Sequence, residues 1–172
     1  MQKESHPEAD TTPRDSAGDP SEYRAVLGHF ASGITLITGL WEMQPVGLTC
    51  QSFFSVSLDP PLIAISPGRS STSWPLISSG GSFCVNVLTD DQEALARSFA
   101  QSGSDKFAGV GWAAGSGGVP RIEGALAWLD CRIRDIYEAG DHWLVTAEVI
   151  QLAHGTGQPL LFYRGGFASV NS

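Results

Sequence analysis

The chain has 172 residues, 42% of them hydrophobic and 16% charged, with a formal net charge of −8. That length suits one domain able to bury about 70% of its unfolded surface. The acid excess argues against a nucleic-acid partner, and no apolar run approaches the roughly 18 residues that cross a bilayer.

Residues 1–20 hold Pro7, Pro13 and Pro20 among scattered charges with no apolar periodicity. They are expected to form a disordered tail ahead of a single domain over 21–172, because they lack the apolar surface to offset their ordering entropy. They also lack the apolar centre of a secretion signal. Cys50, Cys84 and Cys131, odd in number and set in apolar runs, fit reduced thiols in the cytoplasm.

Asp19, Pro20 and Glu22 read as a helix start, and Tyr23, Val26, Leu27 and Phe30 share one face of the short amphipathic helix that follows. Gly33 stops it. Residues 34–38 read as the first strand, 39–44 as a turn, and the run from Gly47 to Ser57 as one strand that Pro60 and Pro61 force into an extended exit. A compact strand over 62–66 leads to a Ser-rich loop over 70–73 and a short helix from Trp74. After a strand over 82–88, Thr89 and Gln92 form a capping box for a helix through Phe99.

Residues 105–120 are glycine-rich and expected to be irregular. Over 127–136, Leu129, Cys131 and Ile133 alternate inward with Asp130, Arg132 and Arg134 outward, as in a half-buried strand. Strands over 143–152 and 160–167 complete the chain. Several short strands, few helices and no regular βαβ alternation predict a mainly β barrel with peripheral helices.

The usual catalytic signatures are missing: there is no Gly-x-Ser-x-Gly, no Cys-x-x-Cys and no pair of histidines at metal spacing. Gly109 and Gly111 do not complete a dinucleotide fingerprint. What remains is a set of groups suited to binding. In GLTCQSFFSVSLDPP, Gly47, Thr49, Gln51 and Ser52 place small polar groups and open backbone beside Phe53, Phe54 and Val56. One face of such a strand can meet a flat polar ligand while the other buries aromatics, and an ordinary Ser-rich edge strand would read the same way.

PGRSSTSW at 67–74 offers Arg69, several hydroxyls and a helix start to an anion, or is simply a self-capped loop. Lys106 could meet a phosphate and Phe107 a ring. His142, after Asp141 at a strand start, could bond a ligand or cap the turn.

FASGITLIT, GLTCQSFFSVSLDPP, PGRSSTSW, GSFCVNVL, LARSFA, DKFAGVGW, EGALAWLDC, AGDHW and PLLFYRGGF occur in one order over about residues 23–168. Together they resemble the flavin reductase family, whose fold is the FMN-binding split barrel, and in particular the reductase components of two-component flavin monooxygenases. The resemblance implies a homodimeric six-stranded Greek-key barrel, FMN or FAD as the flavin, NADH or NADPH as hydride donor, and a separate oxygenase fed by diffusible reduced flavin.

By the same resemblance Thr49, Gln51 and Ser52 would contact the isoalloxazine or ribityl chain, with Gly47 and Cys50 beside them and Phe53 shaping the surroundings. Ser66, Arg69, Ser71 and Ser73 would serve the phosphate, helped by Lys106 and Arg97. Phe107 would lie near the flavin, and His142 would orient the nicotinamide amide or pyrophosphate. No metal and no protein acid or base is implied, because hydride passes between stacked rings that the protein orients. A non-catalytic flavin- or haem-binding barrel, and an interaction barrel with no small ligand, are the alternative readings.

Overall fold

The computed structural model describes residues 19–103 and 105–170. Most of the tail expected over 1–20 lies outside them, but Asp19 and Pro20 begin helix α1 (Pro20–Leu27). Asp19 Oδ1 accepts from the Ser21 amide at 2.8 Å, and proline at the first position forfeits no helix bond. No residue of α1 is buried.

The strands follow as β1 (Ser32–Gly33), β2 (Thr35–Trp41), β3 (Gln44–Cys50), β4 (Phe53–Leu58) and β5 (Pro61–Ile65). Helix α2 (Trp74–Ser79), β6 (Ser82–Val87) and α3 (Glu93–Ala100) come next, then β7 (Trp112–Ala114) and β8 (Pro120–Ile122). The long strands β9 (Ala127–Ala139) and β10 (His142–His154) precede β11 (Leu161–Tyr163) and β12 (Gly166–Ala168). The main antiparallel sheet runs β3-β2-β6-β9-β10-β5-β4, with β1-β11-β12 and β7-β8 as satellites. The fold is mainly β with peripheral helices, as the sequence predicts.

Two apolar clusters support the sheet. Ile37, Ile65, Trp74, Phe83 and Val145 belong to one; Leu36, Leu88, Ala96 and Phe99 belong to the other. Neighbouring β2 residues Leu36 and Ile37 thus enter different clusters, as strand alternation requires.

Several boundaries differ from the sequence reading, each for a tertiary reason. Residues 39–41 continue β2 instead of turning, because they pair with residues 44–46 of β3, and Ile77 packs over Gly39 so closely that a Cβ there would meet its Cγ2 at 3.0 Å. The turn is only Glu42 and Met43, both at positive φ. The run from Gly47 to Ser57 is two strands, broken at Gln51 and Ser52, and Phe54 and Val56 of β4 are exposed rather than buried. Residues 160–167 likewise form the β11–β12 hairpin, with Arg164 and Gly165 at its turn.

The stretch 105–120 is not wholly irregular, since its end forms the β7–β8 ribbon. Thr38 Oγ1 donates to Pro120 O, and Asn86 Oδ1 accepts from the Ile122 amide at 2.7 Å. Both partners lie in distant strands. Asp130, expected to face outward, is only 1% exposed: Arg121 and the Ser116 amide donate to its carboxylate.

Candidate active site

A groove of about 980 Å3 opens between the C-terminal end of β3, the loop after β5, the end of α3, the face of α1 and the β9–β10 turn. Its volume is at the upper end of the roughly 300–1,000 Å3 usual for cofactor sites. Its polar groups fall into two kinds, according to what their hydrogens already do.

Thr49, Ser52 and Ser66 build the wall. Thr49 Oγ1 donates to Ala96 O at 2.6 Å and so ties β3 to α3. Ser52 Oγ donates to Ser66 O and accepts from the Ser66 amide, both at 2.9 Å, clamping the β3–β4 corner onto the end of β5. Ser66 Oγ in turn donates to Trp143 O at 2.7 Å. These three hydroxyl hydrogens already have carbonyl partners.

Ser71 and Ser73 differ, because each accepts. Ser71 Oγ takes the Trp74 amide at 3.1 Å, and Ser73 Oγ takes the Lys106 ammonium at 3.2 Å. Their own hydroxyl hydrogens have no acceptor among the described residues, so they can donate to an anion. Lys106 also donates to Gly47 O at 3.1 Å and Phe99 O at 2.9 Å, which places a positive charge at the end of α3 where the helix dipole favours it. Burial lowers its pKa below the ordinary lysine value.

His142, Asp141 and Arg24 also line the groove. The strand start is pinned to the loop after β5, since the Trp143 amide donates to Pro67 O and the Arg69 amide to Asp141 O, each at 2.9 Å. His142 Nδ1 lies 2.6 Å from Asp141 Oδ1, and that bond, with the charge of His142, holds the Asp141 carboxyl below its ordinary pKa. Cys50 and Gln51 line it as well. Burial raises the Cys50 pKa, so its thiol is a neutral neighbour rather than a nucleophile.

A family model described as the flavin reductase like domain matches residues 27–171. The chain belongs to the flavin reductase family. It is 43% identical over 155 residues to the flavin-dependent monooxygenase reductase subunit HsaB of Mycobacterium tuberculosis, covering 88% of this chain and 83% of that one. The crystal structure of nitrilotriacetate monooxygenase component B from Mycobacterium thermoresistibile is 42% identical, with a TM-score of 0.87, covering 91% of this chain and 89% of that one. The Streptomyces globisporus NADH:FAD oxidoreductase SgcE6, solved with NAD and FAD fragments, is 37% identical with a TM-score of 0.85, covering 90% and 94%.

Within this flavin reductase fold, Thr49, Cys50, Gln51, Ser52, Ser66, Ser71, Ser73, Lys106 and His142 all line the groove. Gly47 and Phe107 line a smaller cavity beside it. Three expected residues line neither. Arg97 pairs with Glu93 at 2.7 Å and lies over the Phe167 ring; Arg69 lies over Trp143, 3.6 Å from Glu138; Phe53 packs against the core. Helix α1, which its sequence does not place at the site, contributes Tyr23, Arg24 and Leu27 to the groove lining. The spacing of Tyr23 and Leu27 marks a helix face, but nothing local says what that face meets.

Proposed function

We propose that this chain is an NAD(P)H:flavin oxidoreductase that reduces FMN or FAD by hydride transfer and supplies the reduced flavin to a separate monooxygenase. The single observation that carries this reading is the polarity of the groove. Ser71, Ser73 and Lys106 present two hydroxyl donors and a cation, and His142 and Arg24 line the same groove. Such a groove can seat a flavin phosphate and still offer polar and cationic groups to a nicotinamide dinucleotide.

The bound flavin supplies the hydride-accepting ring, and the chain supplies orientation. Thr49 and Ser52, locked by their own bonds, would hold the groove wall rigid beside the flavin. His142 would hold the nicotinamide end, with Asp141 fixing its imidazole. Charge-assisted phosphate bonds contribute about 1.5–3 kcal/mol each, which suits a flavin held near micromolar strength and then released.

The reductase would act as a homodimer. Phe54, Val56 and Leu58 on edge strand β4, with Ile150 and Leu152 on β10, are exposed apolar side chains of one sheet, and a second copy would cover them. A cytoplasmic location suits the three buried free thiols; no described helix is long and apolar enough to cross a membrane. The deciding experiment is anaerobic: protein, flavin and NADH or NADPH are mixed, and bleaching of the flavin absorbance is followed. Rapid protein-dependent bleaching supports the reading. A flavin that binds yet stays oxidised with both nucleotides would overturn it.

A further inference from the structure

Lys106 owes its place to a loop, the segment between α3 and β7, and not to a strand. From that loop Phe107 and Val110 pack against the apolar cluster that holds Phe99. The Phe107 ring meets Phe99 edge-on at 5.0 Å and Trp112 at 6.4 Å between centroids, with interplanar angles of 71° and 78°. Phe99 thus holds two neighbouring loop residues: its ring takes Phe107, and its carbonyl takes the Lys106 ammonium at 2.9 Å. If the ring loses its seat, the adjacent ammonium loses its position.

Trp112 is the far wall of that seat. It opens β7 and pairs with Ile122 of β8, whose amide donates to Asn86 Oδ1 at 2.7 Å. Thr38 Oγ1 donates to Pro120 O on the same strand. Asn86 and Thr38 are both buried, so the place of the ribbon is set by the core. One turn separates Trp112 from Phe107: the Val110 amide donates to Phe107 O at 3.0 Å, and Gly109 takes the positive φ of 73° that the turn needs. Trp112 itself lines neither the groove nor the cavity beside it.

We propose that Trp112 is a positioning residue for the cation of the groove. By pressing Phe107 against Phe99 it keeps the Lys106 ammonium between Gly47 O, Phe99 O and Ser73 Oγ, where it meets the flavin phosphate. This inference rests on the reductase reading above, which gives Lys106 a phosphate to meet. A charge-assisted bond depends on distance and angle, so a displaced ammonium forfeits the phosphate while the groove still accepts the rings. Trp112 therefore sets the phosphate's share of flavin affinity.

The test uses riboflavin, which has the same rings and ribityl chain as FMN but no phosphate. The full chain is titrated with both, as wild type, Trp112→Ala, Trp112→Phe, Lys106→Ala and the Trp112→Ala Lys106→Ala double variant. FMN is expected to bind wild-type protein about ten-fold more tightly than riboflavin. Trp112→Ala should bring that ratio close to one with riboflavin affinity unchanged, and Trp112→Phe, which restores a ring edge, should recover most of it. In the Lys106→Ala background Trp112→Ala should leave the ratio where it is, because the group it positions is gone. Riboflavin binding also reports that each variant is folded. If Trp112→Ala does not fold, Trp112→Leu, apolar but without a ring edge, replaces it in every arm.

An equal loss of FMN and riboflavin affinity in Trp112→Ala would make Trp112 a structural residue only and overturn the proposal. A further fall in the ratio when Trp112→Ala is added to Lys106→Ala would overturn it too, since the effect would not pass through the ammonium. Equal affinities of wild-type protein for FMN and riboflavin would remove the phosphate contact and the proposal with it, and leave the reductase reading to the anaerobic bleaching experiment. Failure of wild-type protein to bind any flavin would overturn both.

Discussion

The Lys106 ammonium donates to the Ser73 hydroxyl oxygen at 3.2 Å, and its other donors reach Gly47 O and Phe99 O. Lys106 is therefore both a cation of the groove and a clamp joining β3, the loop before α2 and the end of α3. Lys106→Ala should cost about 1–3 kcal/mol of stability by leaving half-buried carbonyls without their donor. It should also weaken FMN binding, more at low salt than at high. Urea denaturation and FMN titration at two ionic strengths check this; an equal loss of affinity at both would remove the phosphate contact.

His142 lines the groove beside Gly68, with its imidazole fixed by Asp141. His142→Ala is expected to raise the KM for NADH several-fold while flavin affinity stays near the wild-type value. Steady-state kinetics alongside flavin titration separate the two effects. Unchanged nicotinamide kinetics would take His142 out of the site.

A Cβ added to Gly47 would meet Phe99 Cε1 at 2.6 Å, and the Phe99 ring is fully buried, so it has no room to retreat. Gly47→Ala should cost about 1–3 kcal/mol through overpacking. Phe99 lines the groove, so flavin affinity should fall as well. Thermal denaturation with and without FMN is the measurement, and a variant as stable as wild type would show that this contact is not tight.

Asp130 is 1% exposed and depends on Arg121, whose guanidinium also lies over the Trp128 ring at 3.5 Å. Arg121→Met should cost about 3–5 kcal/mol because it strands a buried carboxylate. Adding Asp130→Leu to that variant should restore much of the loss. If denaturant curves show the double variant to be the weaker, lost packing rather than a stranded charge is the cause.

Asp19 caps α1, and its carboxyl is held below its ordinary pKa by the Ser21 hydroxyl and then by the Ser21 amide. A depressed folded-state pKa means the cap contributes fully above the unfolded carboxylate's pKa and is lost as pH falls through the folded value. Amide hydrogen exchange in α1 should therefore quicken on the acid side of the carboxylate range. Asp19→Asn, which keeps a side-chain acceptor, should largely abolish that pH dependence. Identical acid profiles for the two proteins would exclude Asp19 as the titrating group.

The sequence alone determined that this is a mainly β chain and pointed to GLTCQS, the Ser-rich loop, Lys106 and His142, which the fold brings around the groove and the cavity beside it. Those properties are local: strand alternation, proline and glycine at turns, and a capping Asp19 act through near neighbours. Tertiary structure decided what each polar group does. Ser66 and Ser73 look alike in sequence, yet Ser66 donates to Trp143 O while Ser73 accepts from Lys106, and only the second keeps a hydrogen for a ligand. Arg69 and Arg97 lie over Trp143 and Phe167, rings that come from distant strands, and line neither the groove nor the cavity beside it. Asp130 alternates outward on its strand but is covered by a ribbon that only the folded chain brings there. The partner that commits a hydrogen bond or seats a cation comes from a distant segment, and side-chain chemistry at one position does not specify it.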